Sequence, residues 1–181
     1  MNATLVTRSA ESLYAAARAG ELVDLLSVAT PTLDVAQGYA IQDALLALHL
    51  ADGARITGAK LGLTSRAKQV EMHVHEPIGG WLTDRMALPE GEPLVVGSLV
   101  QARCEPEIAF RLGADLSGAD ATAADVIAAT TSVMVAIEVL DSRDGPGSWG
   151  PDVGSDSSSP RFVSLSLPSS PRRTWSAVRR P

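Results

Sequence analysis

The chain has 181 residues, 45% of them apolar, with 21 acidic against 15 basic residues and a net charge of −6. That supports one globular core with room for a small second unit. With 20% charged and 4% aromatic residues, it fits neither a disordered polyelectrolyte nor a stacking platform for single-stranded nucleic acid.

In chain order, Ser9 can cap a short helix carrying Leu13, Ala16 and Ala17 on one face, with Gly20 as its stop. Asp34 followed by Gln37 is a capping-box pattern, and Val35, Tyr39, Leu46 and Leu50 recur at helical spacing before Gly53 closes the segment. The spacing predicts an amphipathic helix there. Arg55 to Leu63 reads as a short glycine-containing strand, and Thr64 to His73 as a helix capped by Thr64 or Ser65. Pro77, Gly79 and Gly80 predict a loop. Leu94 to Leu99 is a candidate strand, Ala102 to Leu112 a stronger one, and Gly113 to Gly118 a turn. Thr122 with Asp125 is a second capping-box pattern, opening a helix through Ala129. The β-branched run from Val133 to Leu140 then predicts a buried strand.

Charge divides the chain. From Arg161 to Pro181 there are five arginines and no acid, leaving 10 bases against 21 acids in residues 1–160, a net of −11. This basic segment follows a Gly and Ser cluster from Gly145 to Ser159 and contains Pro168 and Pro171, so a poorly ordered tail is expected. A basic arm docked on the acidic body is the alternative. The expected division is a helical part over 1–54, a mixed β part over 55–144 and a Gly/Ser/Pro/Arg-rich tail over 145–181.

Cys104 is the single cysteine, so no internal disulfide can form, and a reducing cytoplasm is the expected location. The N-terminus lacks the apolar stretch of a signal peptide. The longest apolar stretch, Ala44 to Ala51, contains His49 and is far short of the ~20 residues that cross a bilayer. Neither a membrane nor nucleic acid is an expected partner.

Three carboxylates stand where strands should be apolar. Glu105 and Glu107 leave the same face of their strand, with Cβ atoms roughly 6 to 7 Å apart. Glu138 lies within SVMVAIEVL, where an unpaired carboxylate would cost several kcal/mol. A divalent cation is the simplest partner: three carboxylate oxygens and waters suit Mg²⁺ or Mn²⁺ and not Zn²⁺. The structural alternative pairs Glu138 with Arg103 or Arg111. Cys104 faces away from the two glutamates and reads as a small core residue. His73 and His75 lack the i, i+4 spacing of a helical metal pair and read as loop-surface residues. Lys60 sits between Gly58 and Gly62 in GAKLGLTS; buried there, its ammonium would have a lowered pKa and serve as an acid or base. A lysine that snorkels to the surface is the even alternative.

GAKLGLTS, EPIGGWLTD, EPEIAF and AIEVLDSR, in that order, resemble the 2-oxo-acid lyases of aromatic meta-cleavage pathways. These are the 2-hydroxypentadienoate hydratases and 4-oxalocrotonate decarboxylases, relatives of the fumarylacetoacetate hydrolases. The resemblance covers Leu22 to Arg143. It implies an α+β fold around a mixed rolled sheet with N-terminal helices. It also implies a Mg²⁺ or Mn²⁺ site on Glu105, Glu107 and Glu138, a catalytic lysine at Lys60, and substrate contacts at Leu63, Thr64 and Ser65. In the hydratases an acid follows the proline of the loop after the lysine, whereas here Ile78 follows Pro77. The likeness therefore leans toward decarboxylation of 2-oxo-3-hexenedioate to 2-hydroxypenta-2,4-dienoate, with the hydratase reaction as the alternative. It further implies a small 2-oxo acid substrate, a homo-oligomer and a hydratase or decarboxylase partner subunit. Family members run past position 181, and GSDSSSPRFV is a degraded echo of their pattern after the third glutamate. A truncated, non-catalytic remnant is accordingly one competing expectation, and a binding module for a 2-oxo acid is another.

Overall fold

The computed structural model describes residues 3–72, 74–118 and 120–143, and the backbone alone of 161–165. Helix α1 (Ala3–Ala19) packs on α3 (Val35–Ala51), with the short α2 (Leu26–Ala29) between them. Their shared core is Ala10, Leu13 and Ile41, flanked by Val6, Val23, Leu33, Leu45 and Leu48. The start of α3 matches its capping box: the Asp34 carboxylate accepts from the Gln37 N–H at 2.7 Å, and the Gln37 side chain accepts from the Asp34 N–H at 3.0 Å. Ser9, by contrast, is no cap. It is buried in mid-helix, because α1 begins a turn and a half earlier and thereby lays Val6 on the core.

The sheets lie beyond these helices. Strand β1 (Ile56–Gly62) pairs antiparallel with β2 (Ile78–Thr83), so Gly79 and Gly80 belong to a strand and not to the expected loop. They permit close approach: a Cβ on Gly80 would stand 3.4 Å from Lys60 Cγ and 3.7 Å from Gln42 Nε2. Ser65 caps α4 (Arg66–Glu71), accepting from the Lys68 N–H at 3.2 Å. His75 is exposed as expected, and His73 lies outside the described residues.

The second sheet has the order β3-β6-β5-β4, formed by β3 (Ala87–Leu88), β4 (Ala102–Leu112), β5 (Thr130–Asp141) and β6 (Arg161–Leu165). Helix α5 (Ala123–Ala129) precedes β5, and the predicted Thr122–Asp125 capping box starts it. Leu94 to Leu99 is not a strand but contains a 3-10 turn at Val96–Ser98, closed by the Ser98 hydroxyl donating to the Val95 carbonyl at 2.7 Å. β6 lies between β3 and β5, so this part of the basic segment is ordered by ladder hydrogen bonds. The rest of the expected tail lies outside the described residues.

Burial runs opposite to simple expectation on β4 and β5. The C-terminal half of β5 is buried, but Val133 and Val135 are exposed. On β4, Ile108 (59%) and Phe110 (56%) are exposed, while Glu107 and Ala109 face partly inward. Cys104 lies on the outward face and is exposed, which corrects its reading as a core residue. Among the described residues no helix is long and apolar enough to cross a membrane.

His49, near the end of α3, stacks edge-on against Tyr14 of α1 at 5.0 Å. Burial, and then the nearby Arg85 charge, lower its pKa. The unfolded chain therefore binds a proton that the folded chain resists, and stability should fall as pH drops from 7 toward 5. Urea unfolding across that range should give a shallower slope for His49→Gln than for the wild type.

Candidate metal and amine site

The site begins with register. Glu105 lies directly opposite Glu138 in the β4–β5 ladder, and Glu107 lies opposite Ala136. Directly opposed residues share a face, as do residues two apart on one strand. All three carboxylates therefore leave one face, and each offers an oxygen within 4.8 Å of the others. Like charges directly opposed destabilise a sheet, so this arrangement calls for a cation. Glu138 is 2% exposed, which makes water a poor substitute.

One cation is supplied by the protein. Lys60 Nζ forms an ion pair with Glu138 Oε1, the lysine side chain being 13% exposed. The largely buried amine approaches from the other sheet, so Lys60 does not snorkel, and it serves as a counter-charge to Glu138. Its strand is held in place by α3: the Gly79 N–H donates to the Tyr39 hydroxyl at 3.2 Å, and Gln42 Nε2 donates to the Gly79 carbonyl at 3.2 Å. Gly80, opposite Lys60, leaves the stem room to cross. Neither Tyr39 nor Gln42 stood out in the sequence, where both read as ordinary positions of an amphipathic helix.

The turn after β1 carries the other expected residues. Leu63 has a positive φ of 54°, uncommon for a side chain of its size. Gln69, buried on α4, donates to the Leu63 carbonyl at 2.9 Å and holds that turn. Thr64 and Ser65 are exposed, and the Ser65 hydroxyl is engaged as the cap of α4. Leu63, Thr64 and Ser65 are thus a shaped turn a few residues beyond the lysine.

The donor set fits a hard divalent cation. Octahedral oxygen sites with bonds of about 2.0 to 2.1 Å place their ligand atoms about 3 to 4 Å apart, a spacing that small side-chain adjustments would reach from carboxylate oxygens within 4.8 Å of one another. Three carboxylates without thiolate or imidazole favour Mg²⁺ or Mn²⁺ over softer metals.

No family model matches the chain. Among curated proteins it is 41% identical over 144 residues to a 2-hydroxypent-2,4-dienoate hydratase of Pseudomonas putida, an alignment covering 79% of this chain and 65% of that one. It is 39% identical over 135 residues to a 2-hydroxyhexa-2,4-dienoate hydratase of Comamonas testosteroni, covering 74% and 51%. Among solved structures it resembles 4-oxalocrotonate decarboxylase from Pseudomonas putida G7, complexed with magnesium and adipate. That match has a TM-score of 0.84 and 32% identity, over 91% of this chain and 64% of that one. Hydratases and decarboxylases of this kind are lyases of meta-cleavage catabolism. The chain belongs to the family of 2-hydroxypentadienoate hydratases and 4-oxalocrotonate decarboxylases, and it spans between half and two thirds of the length of these relatives.

Removing the ammonium leaves the buried Glu138 carboxylate without its protein cation. Lys60→Met should destabilise the metal-free protein by about 3 kcal/mol, read by urea unfolding in EDTA at pH 7. Adding Mn²⁺ should restore part of that loss. Unchanged stability in EDTA would mean that the ion pair does not hold Glu138 in place.

Proposed function

We propose that this protein is a divalent-cation-dependent lyase that decarboxylates 2-oxo-3-hexenedioate to 2-hydroxypenta-2,4-dienoate. The observation that carries the reading is the convergence of Glu105, Glu107 and Glu138 on one point beside Lys60. In this reading Glu105, Glu107 and Glu138 hold Mg²⁺ or Mn²⁺, as the magnesium complex of the decarboxylase relative favours. When bound, the ion supplies Lewis acidity toward a 2-oxo carboxylate.

The chain's own residues do the rest. The turn Leu63–Thr64–Ser65 borders the substrate, and Lys60 directs its ammonium to the 2-oxo oxygen. As the bond to the distal carboxylate breaks, its electron pair passes through the conjugated carbons to that oxygen, and CO₂ leaves. Lys60 donates a hydrogen bond to the developing charge and then a proton, giving the dienol. Tyr39 and Gln42 couple the helical part, 1–54, to the hairpin that carries Lys60, so the helices and the β part, 55–144, act as one working unit. The dienol product is unstable, which favours a hydratase partner that takes it directly, and a homo-oligomeric assembly is part of the same proposal.

Ile78 favours decarboxylation over hydration. It pairs with Gly62, two positions along the ladder from Lys60 and Gly80, and its Cγ1 stands 3.0 Å from where a Gly62 Cβ would lie. An apolar group there offers no second acid or base, and decarboxylation needs none beyond the lysine. The hydratase reading has its own support in the names of the curated relatives.

CO₂ release from 2-oxo-3-hexenedioate and hydration of 2-hydroxypenta-2,4-dienoate should be measured with Mg²⁺ and with EDTA. The expected outcome is Mg²⁺-dependent CO₂ release exceeding hydration, lowered at least about 100-fold in Glu138→Ala. Hydration alone would replace the reaction. Mn²⁺ at 100 times its Kd should also raise stability by about 2.7 kcal/mol, whereas a non-catalytic remnant would ignore the metal.

A further inference from the structure

We infer that Asp141 is a positioning residue for the carboxylate cluster, an inference that rests on the divalent-cation reading above. Asp141 ends β5 three residues after Glu138 and is fully buried. It lies opposite Ala102, the first residue of β4. Its Oδ1 accepts from the N–H groups of Val100 and Gln101, both at 2.8 Å. Its Oδ2 lies 2.9 Å from Arg143 Nη2, and the Arg143 carbonyl accepts from the Val23 N–H at 2.8 Å. One carboxylate thus fastens the chain entering β4 to the chain leaving β5, at the end of the ladder nearest Glu105.

That fastening matters because β4 is the outer strand of the order β3-β6-β5-β4. Its register rests on β5 alone among the described strands. The far end of the ladder is irregular, with a shift between Arg111 and Leu112, so the regular end sets the alignment. A slip of one residue would turn Glu105 and Glu107 to the opposite face. Charge-assisted acceptance of two backbone N–H groups is a strong, directional constraint against such a slip.

Asp141→Ala and Asp141→Asn separate this role from general stability. Both remove the charge that faces Arg143, but only the alanine removes the acceptor for the two amides. Mn²⁺ titration of the folded variants, followed by electron paramagnetic resonance, should show at least about a tenfold loss of affinity for D141A, in the range typical of residues that orient metal ligands. D141N should stay within about threefold of wild type. Equal affinities in D141A and wild type would overturn the inference, as would equal losses in both variants.

Amide hydrogen exchange without metal gives a second readout. D141A should lose protection along the ladder at Glu105 and Glu138, and D141N should keep it. Retained protection in D141A overturns the positioning role. Wild-type protein that binds no Mn²⁺ would instead remove the metal reading, while this exchange comparison would still decide the role of Asp141. Should D141A fail to fold, the wild type decides: coupling is reciprocal, so Mn²⁺ must slow exchange at Val100 and Gln101, and unaltered exchange overturns the inference.

Discussion

A carboxylate in the buried half of a strand requires a counter-charge, and much of this structure is arranged to meet that requirement at Glu138. Burial in an apolar strand costs several kcal/mol unless the charge is paired. The ladder aggravates the cost by setting Glu105 directly across. Lys60 answers part of it from a separate hairpin, and a divalent cation would answer the remainder. Charge demand thus links two sheets with no strand in common.

Elements with local causes were legible in the sequence. The helix starts at Asp34 and Thr122 follow from side chains that satisfy backbone N–H groups three residues away. The bounds of β4 follow from an alternating pattern, and Pro106 within it is consistent with an outer strand. The face shared by Glu105 and Glu107 needs only the two-residue period of a strand. Their grouping with Glu138 was an expectation carried by the family resemblance, since the burial of Glu138 alone called only for a counter-charge, which an arginine could also supply.

What was not legible depends on contacts distant in sequence. Gly79 and Gly80 look like a loop until Lys60 and α3 are placed against them. Ser9 looks like a cap until Val6 is seen on the core. Arg161–Leu165 looks like part of a basic tail, yet its backbone completes a ladder. Cys104 looks like core, yet it is exposed together with Ile108 and Phe110, and only Glu107 and Ala109 of β4 are partly covered. Local rules fail most visibly beside the site. There β5 buries the Glu138 carboxylate, and Leu63 adopts a left-handed conformation held by Gln69, a form of strain often stored where function lies.

In the proposed site, three side chains from two adjacent strands share one hard cation. Crystals grown with Mn²⁺ and measured at the manganese absorption edge test it most directly. A single anomalous peak bounded by Glu105, Glu107 and Glu138 is the expected result. A peak elsewhere, or none at a concentration that saturates binding in solution, would contradict it.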